Sequence, residues 1–171
     1  TENGDLQNFL PILENHALKQ MENIHKSNQS MGSYVCEDLS SLYGDRPLTM
    51  MTLCNTGALA CGPMGTALGV IELLNNMNRL EHVYASETRP YMQGSRLTAY
   101  ELKKMNIPYS IHTEGAFSYL LKSKKIDAIV IGADRIVANG DTANKIGSST
   151  LSIVANHYNV PFYVVAPAST F

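Results

Sequence analysis

The sequence predicts an α/β fold: a Rossmann-like, mostly parallel sheet with helices on both faces, preceded by a helical segment. Two observations carry this prediction. From residue 47 onward, short apolar runs alternate with segments of helical period, and the connections between them are short. The run at 128–131 is apolar at every position, as expected for a central strand that is covered on both faces. The length of 171 residues suits one domain with a lead-in.

The elements follow in order along the chain. Apolar residues at three- and four-residue steps predict a helix over 6–25. Residues 26–46 are rich in Ser, Gly and Asp and predict a linker with one helical turn. Strands are predicted at 48–53, 82–85, 108–112, 128–131 and 161–166, and helices at 66–75, 94–105, 116–122 and 146–157. We therefore divide the chain into a helical lead-in and linker over 1–46 and a Rossmann-like domain over 47–171.

Composition excludes several classes of protein. The net charge of −2 and the pI near 6.2 argue against a general nucleic-acid binder. The longest apolar runs fall well short of the roughly 20 residues of a membrane span, so no membrane partner is expected. The three cysteines are too few for a disulfide scaffold and are typical of intracellular thiols; their spacing, without a histidine cluster, predicts no metal site. Residues 1–46 hold seven acids and three bases, net −4, whereas residues 47–171 hold eight acids and ten bases, net +2.

Polar turns follow four of the predicted strands. They are Cys54–Gly57, Ser86–Pro90, His112–Gly115 and Gly132–Arg135. In open parallel sheets, ligands bind beyond the carboxyl ends of the strands. The four turns should converge on one edge of the sheet, and this convergence predicts a site.

Cys54 and Asp134 are the two residues of these turns best suited to chemistry. A helix N-terminus near Cys54 would favour the thiolate, although a free cysteine is often an inert, buried apolar group. Asp134 follows an apolar strand, where desolvation would raise the pKa of its carboxyl group and suit it to acid–base work. The alternatives for Asp134 are an ion pair with Arg135 or a cap on the next segment.

Other residues near this edge could bind a ligand. Gln93 can offer a donor and an acceptor to a hydroxyl group, and Arg89 lies in the same turn, where an ion pair with Glu87 is the alternative. Asn144 and Lys145 precede a helix and suit a phosphate, or else a capped helix with a solvated lysine. The glycines at 57, 62, 65 and 69 would suit a phosphate cradle or close packing, and they match no nucleotide motif.

Three stretches, taken together, resemble a known family. They are CNTGALACGPMGTALGVI, ASETRPYMQGSRLTAYEL and DAIVIGADRIVANGDTANKIGSSTLSIVANHYNVPFYVVAPASTF, and they cover most of residues 52–171. They are similar to the methylthioribose-1-phosphate isomerase family, which also includes ribose-1,5-bisphosphate isomerase and regulatory subunits of an initiation-factor exchange complex. NGDTANKIG favours the isomerase branch over the non-catalytic subunits.

The resemblance implies a reaction: 5-methylthioribose 1-phosphate would become methylthioribulose 1-phosphate, a step of methionine salvage. It implies that Asp134 is the proton donor and that Cys54 stabilises the transition state. Gln93, Asn144 and Lys145 match the family's substrate-contacting positions, and we add Arg89. No metal or organic cofactor is implied. We expect the protein to be located in the cytoplasm and also in the nucleus, and the full-length protein to form a homodimer.

The sequence also departs from the family pattern. The family's N-terminal arginine-glycine-alanine motif and a further arginine are absent, and Glu72, Ser86 and Glu114-Gly115 stand where an Arg, a Cys and an Asp-Ser pair are usual. We expect residues 1–46 to be the remnant of an N-terminal domain and the catalytic domain to be incomplete at its C-terminus. The alternatives are a regulatory binding module and a ribose-1,5-bisphosphate isomerase.

Overall fold

The fold is a parallel sheet flanked by helices, in a computed structural model that describes residues 2–171 and the side chains from residue 9 onward. The helices are α1 (Glu2–Tyr43), α2 (Ala58–Cys61), α3 (Ala67–Asn76), α4 (Ala99–Lys104), α5 (Phe117–Ser123) and α6 (Ser148–His157). The strands are β1 (Leu48–Thr52), β2 (Leu80–Ser86), β3 (Tyr109–His112), β4 (Ala128–Ile131), β5 (Arg135–Ile136), β6 (Thr142–Ala143) and β7 (Phe162–Val164). A π-helical turn over Gly94–Thr98 leads into α4.

Five strands form one parallel sheet in the order β3-β2-β1-β4-β7. The chain builds outward from β1 through β2 to β3, then returns to the other side of β1 with β4. The strand order therefore reverses between β1 and β4, and such a switch point opens a crevice at the carboxyl ends of the two strands. The predicted α/β fold class is confirmed.

Each face of the sheet has its own apolar core. On one face, Leu39 of α1, Ile71 of α3 and Leu102 of α4 pack with alternate residues of β1 and β4. On the other face, Phe117 of α5 and Leu151 of α6 pack with the remaining residues of these strands. Because both faces are covered, every residue of β1 and of β4 is buried, which explains the continuous apolar sequence of β4.

The helix α1 corrects one prediction. Residues 26–43, predicted as a linker, continue the helix of residues 6–25 without a break. Cys36 and Leu39 are 3% and 0% exposed in the first core, so tertiary packing holds this polar stretch in helical form. The boundary at residue 46 stays a prediction. Within residues 2–171, no helix combines the length and apolar character that a membrane span needs.

A two-stranded hairpin follows β4 and was not predicted. β5 and β6 pair antiparallel, with Arg135 opposite Ala143. Each strand has only two residues, and most of the hairpin is exposed, so its sequence carries no alternating apolar pattern. The hairpin carries the segment 139–147 back toward the carboxyl edge of the sheet.

Candidate active site

A cavity of about 760 Å³ lies at the switch point of the sheet. Its lining includes Cys54 and Asn55 after β1, Asp134 after β4, and Asn144 after β6. Two of the four polar turns thus meet at one cavity, together with the segment that enters α6. The turns after β2 and β3 do not contribute lining residues to it.

Cys54 is half-buried, with its main chain in a left-handed conformation at φ +69°. Burial raises the pKa of its thiol, while the N–H of Asn55 and the charge of Lys145 oppose the rise. The prediction that a nearby helix N-terminus favours the Cys54 thiolate is therefore wrong, because desolvation outweighs the groups that favour the charged form. The short helix α2 begins only at Ala58 and does not reverse this balance.

Asp134 lines the cavity but is exposed, so the prediction that its carboxyl group is desolvated is wrong. The apolar strand β4 ends at Ile131, and Asp134 lies beyond it at the base of the hairpin, where solvent reaches the carboxylate. Its N–H donates to the Ala143 carbonyl at 2.9 Å and fixes its main chain. Among the described residues, no ion pair joins Asp134 to Arg135.

Asn144 and Lys145 separate at the entrance to α6. Asn144 lines the cavity, and its Nδ2 donates to Ser148 Oγ at 3.0 Å. Lys145 lines a neighbouring groove, and its Nζ lies 5.1 Å from the centre of the Tyr91 ring. Lys145 is still close enough to lower the pKa of the Cys54 thiol. The Lys145 ammonium group therefore lies beside the cavity, whereas the Asn144 amide forms part of its wall.

Gln93 and Arg89 do not line the cavity. Arg89 is exposed, and Gln93 is half-buried with its Oε1 lacking a hydrogen-bond partner. Among the side chains described, those of residues 9–171, no ion pair joins Glu87 to an arginine, so the alternative role of Arg89 in such a pair is not observed. Tyr91 of the same turn contacts Lys145, which places the turn beside the entrance to α6.

The contribution of α1 to the site was not predicted. Ser27 and Asn28 of α1 line the cavity, as do Val165 and Pro167 near the C-terminal end of the chain. Asn28 is 2% exposed, and its Nδ2 donates to the carbonyls of Cys61 and Pro63, each at 3.1 Å. A polar amide on the buried face of a helix would have pointed to this role, but residues 26–46 were predicted to be a linker, so Asn28 was not considered. Among the described residues, no cluster of potential metal ligands occurs.

The whole described chain matches one protein family. The model of the initiation factor 2 subunit family matches residues 2–171. The chain belongs to this family. The match includes α1, so in this family the lead-in helix and the sheet belong to one continuous sequence pattern.

Curated relatives of this family member carry the name of an isomerase. The methylthioribose-1-phosphate isomerase of Nematostella vectensis is 51% identical over 143 residues, covering 84% of this chain and 41% of the relative. That of Marinobacter nauticus is 48% identical over 154 residues, covering 90% of this chain and 43% of the relative. The chain thus spans about two fifths of the length of the curated relatives it matches.

Solved structures of the family share the fold. The 5-methylthioribose 1-phosphate isomerase of Pyrococcus horikoshii is 33% identical with a TM-score of 0.87, over 96% of this chain and 45% of that one. Subunit delta of the translation initiation factor eIF-2B from A. fulgidus is 40% identical with a TM-score of 0.82, over 91% of this chain and 44% of that one. The same fold therefore occurs in structures named for two different functions.

Proposed function

We propose that the protein is an aldose–ketose isomerase that converts 5-methylthioribose 1-phosphate to methylthioribulose 1-phosphate in methionine salvage. The observation that carries the proposal is that Cys54 and Asp134, which follow two different strands, line one cavity at the switch point. The names of curated relatives at 48–57% identity support this substrate.

The reaction needs one acid–base group and a site that keeps water away from the reacting carbon. The carboxyl group of Asp134, in its protonated form, donates a proton to the ring oxygen as the bond from this oxygen to C1 breaks. Hydrogen then moves with its electron pair from C2 to C1, and the 2-hydroxyl proton returns to the Asp134 carboxylate as the C2 ketone forms. Atoms and electrons balance without an external oxidant or reductant. Because burial raises the pKa of Cys54, its neutral thiol suits a neighbour of the moving hydrogen better than a nucleophile.

The substrate phosphate and hydroxyl groups need partners at the same edge. Asn144 on the cavity and Lys145 beside it offer amide and ammonium donors suited to a phosphate. Gln93 and Arg89 belong to the turn whose Tyr91 meets Lys145, so they become substrate contacts if this turn closes over the bound sugar. A homodimer and a cytoplasmic or nuclear location belong to the same proposal; gel filtration and cell fractionation test them.

The test is a ketose-phosphate assay with 5-methylthioribose 1-phosphate on the wild-type protein and on Asp134→Asn. We expect Asp134→Asn to lower kcat by about 10²–10⁴-fold, the usual contribution of a general acid–base group. Asp45→Asn is the matched control, since Asp45 is an exposed aspartate that precedes β1 at the opposite edge of the sheet. Equal rates for wild type and Asp134→Asn contradict the assigned role.

The second candidate is a binding module without turnover. It is supported by the 40% identity to the structure named translation initiation factor eIF-2B, subunit delta. Saturable binding of the sugar phosphate by calorimetry, without product in the assay, would favour it. Faster turnover of ribose 1,5-bisphosphate in the same assay would favour the related bisphosphate isomerase.

A further inference from the structure

The main chain of Cys54 is held by two threonine hydroxyl groups. Its φ of +69° is a left-handed value that residues other than glycine rarely adopt. The Cys54 N–H donates to Thr88 Oγ1 at 2.8 Å, and Thr98 Oγ1 donates to the Cys54 carbonyl at 2.6 Å. Both threonines are fully buried. These contacts fix the direction in which the thiol leaves the end of β1.

A buried carboxyl group lies behind this turn. Glu101 of α4 is 9% exposed, and among residues 9–171, whose side chains the structure describes, no ion pair involves it. Its Oε1 accepts from Asn55 Nδ2 at 2.8 Å, and its Oε2 accepts from the Ala58 N–H at 2.7 Å. Burying such a group is costly unless donors of this kind compensate it. The turn after Cys54 is thus built around one carboxyl group.

A continuous path of hydrogen bonds joins this carboxyl group to Cys54. The Nδ2 of Asn55 donates to Glu101 and also, at 3.2 Å, to Thr98 Oγ1. Thr98 Oγ1 can therefore accept from Asn55 while its own proton goes to the Cys54 carbonyl. A Cβ on Gly57 would collide with both carboxylate oxygens of Glu101, so the missing side chain allows this approach.

The contacts of Glu101 do little for the core. The helix α2, whose first N–H it accepts, has four residues and none of them is buried. An apolar side chain at this position would leave the Asn55 amide and the Ala58 N–H without their acceptor, so the carboxyl group serves this polar turn rather than the core. What the carboxyl group adds is orientation, because it fixes the amide of Asn55 next to the residue that carries the thiol.

We propose that Glu101 is a positioning residue that acts through Asn55 and Thr98 to hold Cys54 in its orientation toward the cavity. The part of this inference that concerns turnover rests on the proposed function, since Cys54 acts there. The orientation of the thiol itself can be tested without substrate.

The first experiment measures alkylation of the thiols by iodoacetamide as a function of pH, read residue by residue by peptide mass spectrometry. In Glu101→Ala the side-chain amide of Asn55 loses its anchor, so the main-chain N–H of the same residue, which lowers the pKa of the Cys54 thiol, is held less firmly in place. We expect the Cys54 rate near pH 8 to fall roughly threefold to tenfold, the effect of one hydrogen bond to a charged or ordered group. Cys61 is an internal reference with the opposite response, because Glu101 raises the pKa of Cys61.

The second experiment compares kcat with KM. A positioning residue for Cys54 should lower kcat, by roughly threefold to tenfold on the same reasoning, and leave KM near its wild-type value. Glu101→Gln should rescue part of both effects, since its amide oxygen can still accept from Ala58. The Oδ1 of Asn55, which has no hydrogen-bond partner, can turn toward the new amide group. Glu72→Gln is the matched control, because Glu72 lines the same groove as Glu101, whereas the hydrogen bonds from Asn55 Nδ2 and the Ala58 N–H go to Glu101.

The outcomes separate this inference from the proposed function. An unchanged Cys54 alkylation profile in Glu101→Ala, with only a lower melting temperature, overturns the positioning role. A shifted profile in a protein whose wild type has no isomerase activity supports the positioning role and overturns the proposed function. If Glu101→Ala does not fold, Thr98→Val breaks the contact to the Cys54 carbonyl while leaving Glu101 paired, and the same slowing is expected.

Discussion

Asn28, within the long helix α1, donates from its side-chain amide to the carbonyl of Cys61 at 3.1 Å. A second bond of the same length reaches Pro63. These bonds join the lead-in helix to the loop that follows Cys54, at a place where both segments line the cavity. The helix that precedes the sheet is therefore part of the site's wall.

Removal of this amide should destabilise the protein. Asn28→Ala leaves the carbonyls of Cys61 and Pro63 without a donor, and Asn28 is almost fully buried, so we expect the free energy of unfolding to fall by about 1–3 kcal/mol. Urea denaturation measures the change. Ser30→Ala is the control, because the Ser30 hydroxyl is exposed and bonds only within its own helix. Equal losses in the two variants would contradict the special role of Asn28.

Lys145 should control the reactivity of Cys54 through its charge. Its proximity lowers the pKa of the Cys54 thiol against the rise that burial causes. Replacement by Gln removes this effect, so the Cys54 pKa rises and the thiolate fraction at pH 8 falls. We expect alkylation of Cys54 at pH 8 to slow about threefold.

The control for this experiment is Lys124→Gln. Lys124 is an exposed lysine that lies with Arg46 in a groove at the amino edge of the sheet, away from Cys54. Alkylation of Cys54 should keep its wild-type rate in Lys124→Gln. If both variants slow the reaction equally, net charge rather than the position of Lys145 is responsible.

Cys36 should make the protein sensitive to base. Burial raises the pKa of its thiol from 9.0 to about 11. Above pH 9 the unfolded chain releases this proton while the folded chain keeps it, so stability is lost as pH rises from about 9 to about 11. The loss is on the order of 2–3 kcal/mol. Measuring the free energy of unfolding across this window for wild type and Cys36→Ala isolates the effect, since tyrosines titrate in both. Parallel pH curves would contradict the prediction.

The sheet was predictable because its central strands are buried on both faces. The prediction of β4 at 128–131 matches its observed bounds, because a short run that is apolar at every position is typical of a strand covered on both faces. The second half of α1 was not predictable, because its Ser, Gly and Asn residues disfavour a helix. Cys36 and Leu39 hold it through contacts with elements that lie far along the chain.

Part of the site was also predictable, because the order of the strands determines which turns lie close together. Cys54 and Asp134 both follow parallel strands, and the topology brings such positions together. Glu101 was not identified, because it lies within a helical period and meets Asn55 only through the packing of α4 against the turn. The exposure of Asp134 was also missed, since the hairpin after β4 has too few residues to leave a pattern.

Gly57 gives a test of this packing that needs no polar substitution. A methyl group at this position meets both oxygens of Glu101, so Gly57→Ala must displace the carboxylate or the turn. We expect a loss of about 1–3 kcal/mol in the free energy of unfolding, as for overpacking of a filled interior. Slower alkylation of Cys54 should accompany it, because the same displacement releases Asn55.

Gly115→Ala is the matched control for this substitution. Nothing lies within 4 Å of a Cβ built on Gly115, and its φ is not in the left-handed region. It should leave both stability and Cys54 alkylation within experimental error of wild type, or raise stability slightly by restricting the unfolded chain. A Gly57→Ala variant that loses stability with an unchanged Cys54 rate would separate the packing of the turn from the orientation of the thiol.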